Sequence, residues 1–564
     1  MQTTSNATLF QTSYSEALGA YRSRKAIHTS GLAPDSTEAR QRYGYPIHLH
    51  PHFEKAVIEN PENLAVEGSG ADGGRYRVLS VKVEGGCIWC SEAGGVVRQV
   101  DAENGKTLNL YKGAKAPVPT FDFLTTAVGE QLLVTGSWDK SLRIYRVTSI
   151  PNEKSTSKPI LEIPNAMADF IKSIHIFTSS HKTYISAAGS DKSIMLYDAT
   201  PLLSLNITSV TVEGTLKCVY QNKSHTRPVN VVTSLLGLDG TTRIYSADSM
   251  GRVLEFILNP DTLRLEVNRE IQGFSTAVYD LKVGWRRVEV EGEPNESETT
   301  EATDAFVSRI KEDLDGGRYK MVAELWAASG DKSCAGYRLS PLLQPHSASK
   351  TAVQSTNSSI PLLGKQEPLS TPCVKIIHKD FVKCVLPLAF SLHPTYSHFD
   401  RFSEAVVTGA SDEHVRLFSN PFNTDGQVNE VEGHWHEITS LAIWTRNATT
   451  SISNAEFTKT TTTTTTTSIP TANDIETWII SAGLDGSIRR WNLASIQTLP
   501  KPQLQPLIQQ DQTKINANWN EESLPPVAPR RIVGDHVPIV SEALQITADE
   551  EAELAELMAN DDDE

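Results

Sequence analysis

One pattern recurs along the chain and restricts its fold more than any other feature. It reads LLVTGSWDKSLRIYRV at 132–147, YISAAGSDKSIMLYDA at 184–199, AVVTGASDEHVRLFSN at 405–420 and WIISAGLDGSIRRWNL at 478–493. Looser copies are CIWCSEAGGVVRQVD at 87–101, RIYSADSMGRVLEF at 243–256 and ELWAASGDKSCAGYRL at 324–339. Each is a strand with period-two alternation, a small-residue turn that usually holds Asp, and a second strand ending near an aromatic. Such a hairpin, even with one strand added on each side, cannot bury both faces alone. Stacking the copies around an axis covers both faces and leaves few sheet edges. The expected fold is therefore all-β, a single seven-bladed β-propeller.

Successive turn positions (94, 139, 191, 250, 331, 412, 485) are separated by 45, 52, 59, 81, 81 and 73 residues. A bare repeat of this kind takes about 40–45 residues, so the later blades carry insertions, placed near 288–317, 344–372 and 446–474. Their Ser, Thr, Pro and acidic content predicts solvated loops without a core of their own. Residues 1–44 read as a flexible arm, 45–494 as the propeller, 495–546 as a Pro/Gln-rich linker and 547–564 as an acidic amphipathic helix or tail. One flank must add the outer strand of the last blade, because an unclosed ring exposes two edges. The segment near Asn63–Gly68 is the favoured donor, with the C-terminal flank as the alternative.

The repeat resembles the WD40 β-propellers. Gly433-His434 before Ile438 is similar to that family's Gly-His element, with reduced forms at His225 before Val229 and at His378 before Val382. The turn Asp corresponds to Asp139, Asp191, Asp331, Asp412 and Asp485, and the terminal aromatic to Tyr145, Tyr197, Phe256, Tyr337, Phe418 and Trp491. Gly94 and Met250 stand where two copies lack the Asp, and the Trp-Asp pair survives only approximately, as Tyr197-Asp198 and Trp491-Asn492. The resemblance implies a buried hydrogen-bond chain through His434, Asp485, Ser481 and Trp491. It implies a shorter one through His378, Asp412 and Thr408, where Phe418 has no donor. A catalytic triad is the rival reading of these residues, but recurrence with the repeat makes them structural staples.

Charge is unevenly distributed. The net charge is −16, of which 541–564 contributes −10 and 289–315 contributes −8, leaving about +2 for the rest. No long Lys/Arg cluster occurs, so nucleic-acid binding has little electrostatic support. No run of apolar residues reaches membrane-spanning length, and no secretory leader is visible. Six cysteines are too few for a disulfide framework, which suggests cytoplasm or nucleus. Cys87-Ile88-Trp89-Cys90 is a lone CxxC whose thiols, three apart on a strand, point to opposite faces. His48, His50 and His52 alternate at a metal-like spacing without accompanying acids or cysteines. Neither a cofactor nor a metal is expected. No P-loop, GxSxG or HExxH string occurs.

Two regions carry the expected function. The resemblance places Trp138, Lys379, Phe381, Trp435, Glu437 and Leu484 on the narrow top face as candidate protein contacts. At the C-terminus, Thr547-Ala548-Asp549-Glu550 forms a capping box that opens a helix with Leu554, Leu557 and Met558 on one stripe. That stripe suits either a linear motif folding on a partner or an idle solubilising tail. The combined expectation is a non-enzymatic scaffold, monomeric within a hetero-complex, that binds other proteins. Alternatives are a nuclear assembly factor, a ubiquitin-ligase substrate receptor and a propeller hydrolase. Ligase receptors carry Trp-Asp-x-Arg at a repeat end, and Tyr197-Asp198-Ala199-Thr200 and Trp491-Asn492-Leu493-Ala494 both lack the Arg. A hydrolase needs a polar group in the central channel beyond the repeating network, and none is identifiable from sequence.

Overall fold

The computed structural model describes residues 22, 25, 29, 43–50, 74–147, 156–203, 216–259, 261–290, 305–312, 317–340, 367–391, 402–423, 428–447 and 475–498. Its strands form seven sheets, antiparallel except where Thr156–Ser157 pairs parallel with Thr107–Tyr111. Each hairpin seen in the sequence supplies the second and third strands of a sheet, and the second strands are buried on both faces. Blade one comprises Val78–Glu84, Cys87–Glu92, Val96–Asp101 and Thr107–Tyr111; blade four comprises Val229–Leu236, Thr242–Asp248, Val253–Leu258 and Leu265–Ile271. Blade six runs Val382–Pro387, Val406–Ala410, His414–Phe418 and Val428–Glu432. The inner strand of each blade meets the inner strands of its two neighbours, and Val78–Glu84 meets Ile438–Asn447, so the ring is closed around a channel.

The apolar residues that make each hairpin alternate are spent between blades. The described core divides into seven clusters, and each spans one blade-to-blade interface. Between blades six and seven, for example, Leu417 and Val431 meet Ile438, Ile479 and Trp491. This is how a ring of sheets buries both faces of every blade. The inner strands are also tied by side chains: Ser440 Oγ accepts from the Val81 amide (3.1 Å), Thr120 Oγ1 from Ile174 (3.0 Å) and Ser173 Oγ from Val232 (3.1 Å).

The closing strand differs from the expected one. Tyr45–His48 forms the outer strand of blade seven, antiparallel to Ser487–Asn492, with Ile47 opposite Ile488. Asn63–Gly68, the favoured donor, lies outside the described residues. Ile47 and Leu49 are buried against blade one, so the apolar positions of this short stretch select it. Its histidines pack on rings rather than facing a common ligand: His48 lies 6.0 Å from Trp435 and His50 lies 5.0 Å from Tyr76.

Four further stretches are drawn into the ring. In the N-terminal arm, where the stretch 13–25 has helical character in the sequence, Arg22, Lys25 and Thr29 are helical, and Lys25 (8% exposed) and Thr29 (3%) are buried. The segment near 288–317 was read as a loop without core. Instead Val278–Glu289 runs two residues into it, the short strand Lys311–Glu312 within it pairs with Arg318–Ser329, and Phe306 is buried beside the guanidinium groups of Arg243 (4.6 Å) and Arg269 (5.1 Å). One aromatic beside two cations on a neighbouring blade anchors the stretch without a core of its own. Leu369, at the end of the 344–372 insertion, is likewise buried and pairs its backbone with Glu270 and Gln272. At the other end of the ring, Leu493–Thr498 is a short helix with Leu493 and Ile496 buried, so order reaches past the expected linker start at 495. Residues 499–564, with Leu554, Leu557 and Met558, lie outside the described part.

Candidate functional site

The top face carries the loops that lead into the inner strands and the turns between second and third strands. In blade seven the expected chain is complete. His434 Nδ1 lies 2.9 Å from Asp485 Oδ2, His434 Nε2 lies 2.7 Å from Ser481 Oγ, and Trp491 Nε1 donates to the same Oγ at 2.8 Å. Burial alone would favour the neutral acid, but His434, Arg489 and the Ser487 amide hold Asp485 well below the usual carboxylate range. Blade four has a second such set: His225 lies 2.9 Å from Asp248 and 2.7 Å from Ser246. Its carboxylate sits two residues before Met250, the position where Asp was sought, which is why the sequence hid it.

Blade six departs from expectation. Asp412 does not meet His378; Arg416 takes both of its oxygens, at 3.0 and 2.6 Å. His378 Nε2 and Thr408 Oγ1 are buried with no hydrogen-bond partner among the described residues. A planar, permanently charged guanidinium outcompetes a neutral imidazole for a carboxylate. Burial and the nearby Arg416 push His378 down to about 4, which keeps its ring neutral. Asp-x-x-x-Arg occurs at Asp139/Arg143, Asp248/Arg252, Asp412/Arg416 and Asp485/Arg489, and because Asp248 and Asp485 keep their histidines the spacing alone does not mark the exchange. Blade two uses it as an ion pair of 2.8 Å.

Where the terminal aromatic is Tyr, its hydroxyl donates to a loop carbonyl: Tyr145 to Lys112 (3.3 Å), Tyr197 to Ala166 (2.5 Å) and Tyr337 to Gln272 (2.8 Å). The turn carboxylates perform the same task from the other side. Asp139, Asp191, Asp331 and Asp485 accept from the amides of Lys115, Ala168, Ser275 and Trp435. Blades two, three, five and seven thus fix their own top loops through a turn carboxylate.

The sequence-derived contact residues fare unequally on this scaffold. Trp435 is 3% exposed, packed by His48 and by the Arg489 guanidinium (5.8 Å), so it covers the edge of blade seven and offers no surface to a partner. Lys379 is exposed, and Leu484 is half-buried. Phe381 is half-buried with Lys332 Nζ 5.9 Å from its ring centroid. Glu437 pairs with Lys383 at 3.1 Å at the channel mouth. Trp138 is half-buried and stacked on Phe170 of the next blade (5.6 Å, 20°), and its Nε1 has no partner among the described residues. Phe170 was missed because no repeat position marks it.

The channel does contain a polar array that the repeat does not predict. Lys82 Nζ donates to Asp122 Oδ1 (2.6 Å), the Ile176 amide donates to Asp122 Oδ2 (2.9 Å), and His175 Nε2 lies 2.8 Å from Ser234 Oγ. Serine, imidazole and carboxylate stand in the order of a nucleophilic triad. However, His175 Nδ1 and Asp122 Oδ2 are 3.7 Å apart, too far for the hydrogen bond that orients a catalytic ring. Burial, with Lys82 and Lys282 near by, pushes His175 down to about 4, which makes it a weak base at neutral pH. What the array does accomplish is to join four successive inner strands. Buried Cys90 is raised well above the usual thiol range by desolvation, and among the described residues no group of three His, Cys, Asp or Glu is placed to hold a metal.

No known family model matches the chain, and no curated protein matches it either.

Proposed function

We propose that the chain is a WD40-type propeller that acts as a non-enzymatic scaffold, joining other proteins in a complex through its top face. The observation that carries the reading is the division of labour on that face. The His434–Asp485–Ser481–Trp491 and His225–Asp248–Ser246 sets are consumed in holding loops. Next to them, Lys379, Phe381 and Leu484 remain at least partly exposed and have no part in those sets. A rigid frame presenting variable side chains is the usual basis of a docking surface. The acidic C-terminal stripe of Leu554, Leu557 and Met558 is proposed as a second contact, and residence in cytoplasm or nucleus goes with both.

The test is affinity purification of the full chain beside two variants: Lys379→Ala/Phe381→Ala/Leu484→Ala, and a chain lacking residues 545–564. Each is expected to lose a distinct subset of specific partners while the circular dichroism spectrum is unchanged. Retention of every partner by both variants refutes the scaffold reading.

A further inference from the structure

The top face is electrically divided, and the division was invisible in a chain whose body is near neutral. In blades one to four, the loops 74–77, 112–119, 164–170 and 223–228 and the turns 93–95, 137–141, 190–193 and 249–252 hold nine Lys or Arg and three Asp, a net +6. In blades six and seven, the loops 378–381 and 433–437 and the turns 411–413 and 484–486 hold one Lys and five acids, a net −4, although Asp412, Glu413, Glu437 and Asp485 are held by Arg416, Lys25, Lys383 and His434. The acids on the basic side are largely spent. Asp139 accepts from the Lys115 amide, the Ser141 amide and Arg143, and Asp191 from the Ala168 and Ser193 amides. The cations are not: Lys115, Lys192 and Arg227 are exposed, Lys140 is half-exposed, and none has an ion pair among the described residues. Between them lies the Trp138–Phe170 stack with its unpartnered indole N–H.

We infer that the top face of blades one to four docks an acidic protein segment, an apolar side chain of which rests on Trp138 and Phe170 while its carboxylates meet Lys115, Lys140, Lys192 and Arg227. The inference rests on the scaffold reading and names the partner's chemistry. Unpaired cations around an aromatic platform give complementary potential at the rim and a desolvated anchor at the centre. A nucleic acid fits less well. Four scattered cations give a phosphate backbone little to track, and the chain holds no long Lys/Arg cluster to extend them.

The variant Lys140→Glu/Lys192→Glu/Arg227→Glu tests this on the full chain. Position 413 shows that the turn accepts Glu: Glu413 occupies the place of Lys140 and Lys192 with φ 68°, beside 69° and 66°. The probe is a fluorescein-labelled peptide of about twelve residues built from Glu-Glu-Leu triplets, read by anisotropy beside its Gln-Gln-Leu counterpart and a single-stranded oligonucleotide. Expected are saturable binding of the Glu peptide only, a loss on the order of tenfold or more in the variant, and a comparable loss at high salt. Lys182→Glu, on the opposite face, leaves binding unchanged. The inference is overturned if the folded wild-type chain does not bind the Glu peptide, if the Gln peptide binds equally well, or if the oligonucleotide binds more tightly than the peptide. Should it fail while the Lys379/Phe381/Leu484 variant still sheds partners, only the acidic chemistry is wrong; should neither surface matter, the scaffold reading falls with it.

Discussion

Asp485→Asn probes the staple on which the top face depends. Asp485 is fully buried and accepts from His434 Nδ1 (2.9 Å), the Trp435 amide (3.1 Å), the Ser487 amide (3.0 Å) and Ser487 Oγ (2.9 Å). Asparagine keeps one acceptor oxygen and turns an NH2 toward two existing donors. At least one charge-assisted bond is lost, and one buried donor is left facing another. Leaving a buried hydrogen-bonding group unpaired costs about 1–3 kcal/mol, and more where the lost acceptor carried a charge. In native-state hydrogen exchange, 3 kcal/mol corresponds to roughly a hundredfold loss of protection. That loss is expected at the Trp435 and Ser487 amides and across blade seven, with blade four little changed because its own His225–Asp248 pair is intact. The pH dependence has a defined sign. Because Asp485 is held below the usual carboxylate range, its contribution is present above about pH 4 and disappears as the pH falls toward its folded-state value. The Asn variant therefore shows a shallower acid slope than the wild type. A drop in protection of less than tenfold, or an unchanged acid slope, refutes the view that this carboxylate holds the blade.

Other positions give independent checks. Glu413→Gln severs the buried contact with Lys25 Nζ (2.6 Å), and cleavage by trypsin N-terminal to Gly44 is expected to accelerate with little change in the core unfolding midpoint. His378 sits near 4 when folded and near 6.5 when unfolded, so the unfolded chain binds more protons between those values and stability falls as the pH drops through that window. His378→Gln should flatten that part of a urea-midpoint-versus-pH profile, and a profile identical to wild type contradicts the assignment. Trp435→Ala should destabilise by about 3–5 kcal/mol through its cavity; a folded, fully stable variant that loses a partner would return Trp435 to the binding surface.

How far the sequence disclosed this molecule depended on whether a residue acts within one hairpin or across the ring. The hairpins themselves were legible, because alternation and the turn Asp are local and repeat in every blade. The His434 network was legible for the same reason. What failed was competition and closure. Arg416 and His378 both lie within reach of Asp412, and nothing in the one-dimensional pattern ranks a guanidinium above an imidazole until both are seen at the carboxylate. Tyr45–His48 closes the ring against a strand more than four hundred residues away, so its alternation marks a strand but not its partner. Arg489 carries no mark of its role in the repeat pattern. It is fully buried and donates to the carbonyls of Tyr43 (2.7 Å) and Thr29 (2.9 Å), a role set by the arm's position. The channel array escaped because its members come from four blades.

The residue after each turn Asp, or its equivalent, separates what the fold needs from what the surface needs. It has positive φ in all seven blades: Gly95, Lys140, Lys192, Gly251, Lys332, Glu413 and Gly486. Left-handed backbone favours Gly and then Asn, and costs other residues roughly 1 kcal/mol. Three blades nonetheless place Lys there and one places Glu. Glu413 is explained by Lys25 and Arg22, which meet its carboxylate. Lys192 has no ion pair among the described residues, so nothing in the fold repays its backbone strain, and a charge requirement on the face supplies the missing reason. Lys192→Gly therefore separates the two demands. Relief of the strain and the greater freedom Gly gives the unfolded chain oppose each other, so stability should move by no more than about 0.5–1 kcal/mol, while affinity for the Glu-Glu-Leu peptide falls severalfold. Thermal denaturation and anisotropy on the same preparation measure both. A large destabilisation would show that Lys192 serves the turn, and unchanged affinity would remove it from the docking surface.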